Sequence, residues 1–344
     1  MGSSMKRGQE HLPFISLILP AYQAEKDLDR TLQSIVDQDY PHKEVVVIEN
    51  GSTDKTFDKA VEWSKRYPFI LVKKSLQKGV SAARNLGLDV ASGDWIGFCD
   101  AGDYFFPGAL KEMSQYVKDH PNKALFVFGF TVAAKSGRIW QHERIHFEKS
   151  KAMSALSLAR RMLYDNRIMG SVWNKFFQAK AIKNYRFNEE LSHCEDMNFC
   201  LNWLLDHPNS SVYLSNKCLY AYVKDPQSAT QDKKGLFHID GRLKYLDAFL
   251  PLLDRKDVDT WTKALIKRNI FRLLHRYRGT AKELGLPMES MDCQYRRYRG
   301  YFYGNMPLLI WHLFRRFQMK WKVKAEALEG NGASDRRGGK DEEH

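Results

Sequence analysis

No run of apolar residues in this 344-residue chain approaches the ~20 needed for a membrane-spanning helix. No secretory leader is legible, and the five cysteines form no CxxC pair. These absences point to a reduced, cytoplasmic protein without disulfides or structural zinc. Internal repeats are missing, and so is any recognised nucleic-acid module, so a nucleic-acid partner is not expected. Acidic residues are in the minority. Lys and Arg number 54 against 41 Asp and Glu, for a formal net charge of +13. Such an excess suits a polyanionic partner (anionic lipid or a phosphorylated substrate) or simply a solvated basic surface.

Hydrophobic residues make up 43% of the chain, enough for a sizeable core. Residues 1–12 are polar and read as a flexible N-terminus. The pattern then alternates. Phe14–Pro20, Glu44–Ile48, Ile70–Lys73 and Trp95–Cys99 read as short buried strands. Glu25–Gln38, Thr56–Tyr67 and the stretch through Ala82, Ala83, Leu86 and Val90 read as helices between them. Strands alternating with helices of about a dozen residues imply an α/β fold with a mostly parallel sheet and right-handed crossovers. Residues 13–103 form a nucleotide-binding type of half, within a domain expected to run over 13–233. Further on, Pro107–His120, Ala152–Tyr164 and Met197–Leu205 read as helices. Ala124–Phe130, Val172–Phe177 and Val212–Tyr222 read as strands. Residues 234–328 read as an all-helical C-terminal extension, in which Ile266, Ile270, Leu273, Leu274 and Tyr277 share one helix face. Residues 329–344 read as a disordered tail.

Four places carry groups capable of chemistry. Gly79–Asp103 reads as loop, helix, turn, strand and acidic loop, delivering Asp100 and Asp103 to the carboxyl end of a buried strand, where open α/β sheets bind ligands. Carboxylates there can share Mg²⁺ or Mn²⁺ with phosphates, although Asp and Gly also favour turns. Arg84 offers a planar fork to a diphosphate, or a charge to solvent. After the second strand, Glu49-Asn50-Gly51-Ser52 is either an ordinary turn or one that meets a base edge through the Asn50 amide. Glu195-Asp196 opens a helix, where acidic residues suit the dipole; a carboxylate there can also act as a general base. In the C-terminal segment NMPLLIWHLFRRFQMKWKVK, Trp311, Phe314, Phe317 and Trp321 alternate with Arg315, Arg316, Lys320, Lys322 and Lys324. That pattern fits a helix on an anionic membrane surface, or one packed on the domain with its cations in water.

The order and spacing of five stretches resemble the family 2 glycosyltransferases of the GT-A fold, in their bacterial surface-polysaccharide form, over Ile15–Gln231. The stretches are SLILPAYQAEKDLDRTLQSIVDQDY, VVVIENGSTDKT, GVSAARNLGLDVASGDWIGFCDAGD, VWNKFFQAKAIKNYRFNEELSHCEDMNFCLNWLL and YAYVKDPQSATQ. The resemblance implies a transferase that moves a sugar, with inversion, from a nucleotide donor of the UDP type to a glycan or lipid-linked acceptor at the inner face of the membrane. Pro20, Ala21, Tyr22, Glu49, Asn50, Arg84 and Asp100 would then line the nucleotide, in a nucleotide-binding half over 13–103. Trp173, Asn174, Lys175 and Glu195 would shape the acceptor side, in an acceptor half over 104–233. Asp196 falls on the catalytic base, and Asp100 on the first carboxylate of the metal-binding DxD motif. Two positions depart from the pattern. Gly102 stands where the second carboxylate usually binds Mn²⁺ or Mg²⁺, leaving Asp103 one residue on to substitute. Glu49-Asn50 replaces the usual Asp-Asp. A competing class, a non-catalytic nucleotide-sugar or glycan-binding protein on the same fold, draws on those two departures.

Overall fold

Short apolar runs become central strands because only strands covered on both faces can bury every side chain. β1 (Ile15–Ala21), β2 (Lys43–Glu49) and β4 (Trp95–Phe98) are of this kind. All seven residues of β2 are buried, including its three charged ones, Lys43, Glu44 and Glu49. Glu44 accepts hydrogen bonds from Ser16 Oγ (2.5 Å) and Ser92 N (2.6 Å), while Lys43 Nζ donates to Gln38 O at 2.7 Å. The third strand, β3 (Ile70–Lys74), lies at the sheet edge and is mostly exposed. Between these strands run α1 (Leu28–Val36), α2 (Thr56–Arg66) and α3 (Val80–Val90).

The computed structural model describes residues 12–136, 149–164, 168, 170–191, 193–224, 244–283, 285 and 288–303. Beyond β4 come β5 (Tyr104–Phe105), α4 (Ala109–Asp119), β6 (Leu125–Ala134), β7 (Lys151–Ser154) and α5 (Ala155–Tyr164). Next come β8 (Lys175–Gln178), α6 (Ala179–Ile182), α7 (Glu195–Asp206) and β9 (Ser211–Lys224). The sheet order is β3-β2-β1-β4-β8-β6-β9-β5, with β7 alongside β9. Strands β1 to β4 pair in parallel, as do β6 and β9. The antiparallel ladders of β8, β5 and β7 are shorter, so the sheet is mostly parallel by length. The chain winds from β1 outward to β3, then returns to place β4 on the other side of β1. That reversal opens a crevice at the carboxyl ends of β1 and β4, the usual ligand position in such sheets.

Two local expectations change, and one short strand was not foreseen. Ala152–Ser154, read as the start of a helix, belongs to a strand, Lys151–Ser154, that pairs with Ser211–Leu214. Val172–Asn174, read as strand, is a turn, and β8 begins at Lys175. The two residues of β5 carry no periodic signal, and their pairing with Tyr220 and Ala221 alone defines them. In each case the deciding partner is distant in sequence.

The chain divides into two compact units after Pro251. The first contains the sheet and α8 (Lys244–Phe249). The second contains α10 (Thr260–Glu283) and α11 (Glu289–Tyr303), preceded by the short α9 (Pro251–Asp254) that straddles the division. Within α10 the face carrying Ile266, Ile270, Leu273, Leu274 and Tyr277 is buried, as its spacing predicts. The expected boundary at 233/234, the aromatic and basic segment at 305–324 and the tail at 329–344 lie outside the described residues. No helix among the described residues is long and apolar enough to cross a membrane.

Candidate active site

Backbone geometry at the end of β1 separates the residues expected near a nucleotide. Ala21 is buried and Pro20 half-buried, while Tyr22 projects, 60% exposed. The next residue, Gln23, has φ of 49°. Its side-chain oxygen accepts from Thr53 N at 2.8 Å and its backbone N–H donates to Ser52 Oγ at 3.1 Å, tying the loop after β1 to the loop after β2.

In that second loop Glu49 and Asn50 face inward. Glu49 Oε1 accepts from Ser52 N at 2.5 Å. The Asn50 amide donates to Gln77 O and accepts from Gly79 N, both at 2.7 Å. Both residues are buried. The amide expected to meet a base edge instead fixes the 77–79 loop.

The acidic loop after β4 is held from α1. Arg30 donates to Gly102 O through Nε (3.0 Å) and Nη2 (2.5 Å). Thr31 Oγ1 accepts from Gly102 N at 2.8 Å and donates to Asp103 O at 2.7 Å. The two carboxylates then diverge. Asp103 turns into the core, where Oδ2 accepts from Tyr220 OH and Oδ1 from Val223 N, each at 2.8 Å. Burial, reinforced by the Asp100 charge, pushes its carboxyl well above the usual range. Asp100 stays at the rim with its side chain 36% exposed, and its N–H donates to Tyr220 OH at 3.2 Å. Asp103 therefore does not fit as a metal ligand. Asp100 fits as a single carboxylate ligand of the kind Mg²⁺ uses together with substrate phosphates. Among the described residues no group of three His, Cys, Asp or Glu is arranged to hold a metal by itself.

Gly102 has φ of +108°, a conformation that disfavours any residue with a Cβ. Gly102→Asp, which restores the family's usual carboxylate in sequence, is expected to lose about 1–2 kcal/mol of stability. Chemical denaturation of both proteins checks this; an unchanged midpoint would show that the loop relaxes freely.

The two halves of the sheet meet at Arg84. The small residues Ala82 and Ala83 are buried, bringing α3 close to the sheet with Arg84 on its inner side. The Arg84 side chain is 3% exposed. Nη1 donates to Glu195 Oε1 (2.9 Å) and Asp196 Oδ1 (2.6 Å), and Nη2 donates to Asp100 Oδ1 (3.0 Å). Its guanidinium carbon stands 5.4 Å from the centroid of the Phe187 ring. Burial opposes the charge, but Asp196, Asp100 and Glu195 outweigh it and hold the guanidinium firmly protonated. Arg84, expected near the nucleotide or its diphosphate, is enclosed by three carboxylates.

Asp196 keeps a side-chain exposure of 16%. Oδ1 takes Arg84, and Oδ2 accepts from Val172 N at 3.1 Å. Burial pushes its carboxyl up to about 7; Arg84 opposes this, and the Glu195 and Asp100 charges add to it. The residue just before α7, Cys194, has φ of 64°, a left-handed conformation uncommon outside glycine and enriched where a site must be aimed.

Trp173, Asn174 and Lys175 do not line an acceptor surface. All three are buried. The Trp173 ring stacks on Tyr220 (5.0 Å, 10°) and Tyr222 (5.6 Å, 5°). They stand behind the site and support it. Sequence reading missed Val172, Phe187 and Tyr220, which act through a backbone amide, a ring face and a buried hydroxyl. None of these has a motif to reveal it.

An open α/β sheet that gathers carboxylates at the mouth of its switch point has the form of a nucleotide-binding protein. Residues 16–186 match the family model described as Glycosyl transferase family 2, and the chain belongs to that family. Similar curated proteins include Bacillus subtilis uncharacterized glycosyltransferase EpsJ, 22% identical over 64% of this chain and 64% of that protein. The minor teichoic acid biosynthesis protein GgaB of B. subtilis is 25% identical over 64% of this chain and 24% of its own length. The chain thus spans less than two thirds of these relatives. Among solved structures, S. aureus TarS 1-349 in complex with UDP-GlcNAc is similar with a TM-score of 0.65. Its identity is 23%, over 84% of this chain and 80% of that one. At that identity the likeness establishes the GT-A fold.

Proposed function

We propose that the chain transfers a sugar, with inversion, from a UDP-sugar to a hydroxyl of a glycan or lipid-linked acceptor in cell-surface polysaccharide synthesis. The observation that carries this reading is the Asp196 carboxylate, partly open at the crevice rim and pushed up to about 7. A group poised near neutrality takes a proton most effectively at neutral pH. Support for the donor class comes from TarS, whose solved complexes hold UDP and UDP-GlcNAc. Support for the pathway class comes from GgaB, named for teichoic acid biosynthesis.

In this reading the acceptor O–H gives its proton to Asp196 as its oxygen attacks the anomeric carbon. The bond from that carbon to the diphosphate oxygen breaks in line, leaving UDP. Tyr22 lies against the nucleotide. Asp100 faces the donor and, with the diphosphate, would hold Mg²⁺ or Mn²⁺; when bound, the ion neutralises charge developing on the leaving group. Glu195, beside Asp196 on Arg84, belongs to the acceptor side. The segment at 305–324 would rest on the anionic inner face of the membrane.

Two measurements test this. Calorimetric titration of UDP is expected to give saturable binding that weakens in EDTA relative to Mn²⁺. Equal binding in both would show that Asp100 holds no ion, and no binding in either would end the donor assignment. In turnover assays with UDP-sugars, kcat is expected to rise with pH through about 7 and level off above it, because Asp196 accepts a proton only when ionised. A rate falling over that window would reject Asp196 as base. The competing non-catalytic reading takes support from the inward turn of Asp103 and Asn50; binding without turnover of any UDP-sugar would favour it.

A further inference from the structure

Burying a lysine ammonium costs several kcal/mol of lost hydration, so a fully buried lysine needs a reason. Lys175 is fully buried at the start of β8. Its backbone N–H donates to Val172 O at 3.0 Å, closing a turn. Its side chain folds back into that turn, where Nζ donates to Ser171 O (2.5 Å) and Asn174 Oδ1 (2.8 Å).

The turn is fixed on two sides. Asn174 Nδ2 donates to Phe128 O at 3.3 Å and Asn174 O accepts from Phe128 N at 3.1 Å, anchoring it to β6. At its other end Gly170 lies against the start of α7, so close that a Cβ there would fall 2.6 Å from Met197 Cβ. Met197 follows Asp196. Between these anchors the Val172 N–H points at Asp196 Oδ2, 3.1 Å away, on the oxygen that does not face Arg84.

We infer that Lys175 is a positioning residue for the base: its ammonium ties Ser171 to Asn174, locking the 170–175 turn so that the Val172 amide is aimed at Asp196. The inference rests on the reading of Asp196 as general base. It assigns a buried charge to a backbone donor that side-chain substitution cannot remove directly. Among the described residues, the charges of Arg84, Glu195 and Asp100, the Val172 amide and Lys175 bear on Asp196; burial lowers the Lys175 ammonium's own midpoint, and the Asp196 charge opposes this. The Cys200 thiol also faces Lys175, pushed by burial up to about 12 and therefore neutral. Losing the ammonium takes away a nearby positive charge and loosens a hydrogen bond to the ionised form, and both changes raise the Asp196 midpoint.

The test is a ¹³C-carboxyl NMR titration of the full-length chain, with the Asp196 resonance assigned by its loss in Asp196→Asn. In Lys175→Met the Asp196 midpoint is expected to rise by about one unit. At pH 7 the ionised fraction then falls from roughly a half to roughly a tenth, so kcat drops about fivefold while KM for the donor holds. An unmoved midpoint in folded Lys175→Met overturns the inference, and so does a midpoint that rises in Lys175→Met but not in Asn174→Ala, which keeps the ammonium, because the lost charge alone then accounts for the rise. Should Lys175→Met fail to fold, Asn174→Ala, which removes one acceptor and keeps the ammonium, is read in the same way. The titration needs no turnover. A raised midpoint in a chain that transfers no sugar would leave the positioning role standing and reject the transferase reading alone.

Discussion

Asp196→Asn is expected to reduce sugar transfer by roughly 10²- to 10⁴-fold, the usual contribution of a positioned general base. UDP affinity is expected to stay within about twofold, because in the proposed mechanism Asp196 meets the acceptor hydroxyl and not the donor, and Glu195 keeps its own bond to Arg84. The substitution nearly preserves shape but not hydrogen bonding. Both oxygens of Asp196 accept, one from Arg84 and the other from the Val172 amide. An asparagine offers one oxygen, so its NH₂ must face one of these donors. That mismatch costs about 1–3 kcal/mol of stability, and thermal unfolding measured beside kcat separates it from lost chemistry. Full transfer by the asparagine variant would remove Asp196 from the mechanism.

Arg84→Met should be the more damaging change to the molecule as a whole. The guanidinium is nearly inaccessible and holds Asp100, Glu195 and Asp196 together. Removing one partner from a buried ionic cluster typically costs about 3–5 kcal/mol. The upper part of that range is reduced here because Asp100 remains more than a third exposed and water screens it. The sign of the functional effect follows from the charges. Arg84 opposes the upward push of burial on Asp196, so its loss raises that carboxyl further. The variant should be nearly inactive at pH 7 and recover part of its rate at higher pH, with the rising limb of the pH–rate profile displaced upward. Arg84→Lys is not expected to rescue it, because a point ammonium lacks the fork that reaches carboxylates through two separate nitrogens. An Arg84→Met protein with unchanged stability and an unchanged profile would show the cluster to be dispensable.

Much of the architecture was legible because its information is local. The apolar runs within Phe14–Pro20, Glu44–Ile48 and Trp95–Cys99 are short and flanked by turns, so only buried strands satisfy them, and β1, β2 and β4 lie there. Their alternation with α1, α2 and α3 then leaves few topologies open. Asp100 and Asp196 were legible as candidates because carboxylates next to a strand end and a helix start have a restricted range of uses. What periodicity could not reach were β5 and β7, which exist through pairing with β9.

The sequence by itself determined the α/β alternation, the strand ends that carry Asp100 and Asp103, and the family pattern that singles out Asp196 as a candidate. Tertiary structure decided the use of each polar group. It turned Asp103 inward onto Tyr220 and Val223, spent the Asn50 amide on the 77–79 loop, and enclosed Arg84 between carboxylates. It also placed Trp173, Asn174 and Lys175 behind the site rather than beside it. The physical reason is the same throughout. A residue's type fixes which hydrogen bonds and charges it can offer, whereas burial and the approach of segments as distant as Asp103 and Val223, 120 residues apart, fix which of them are consumed.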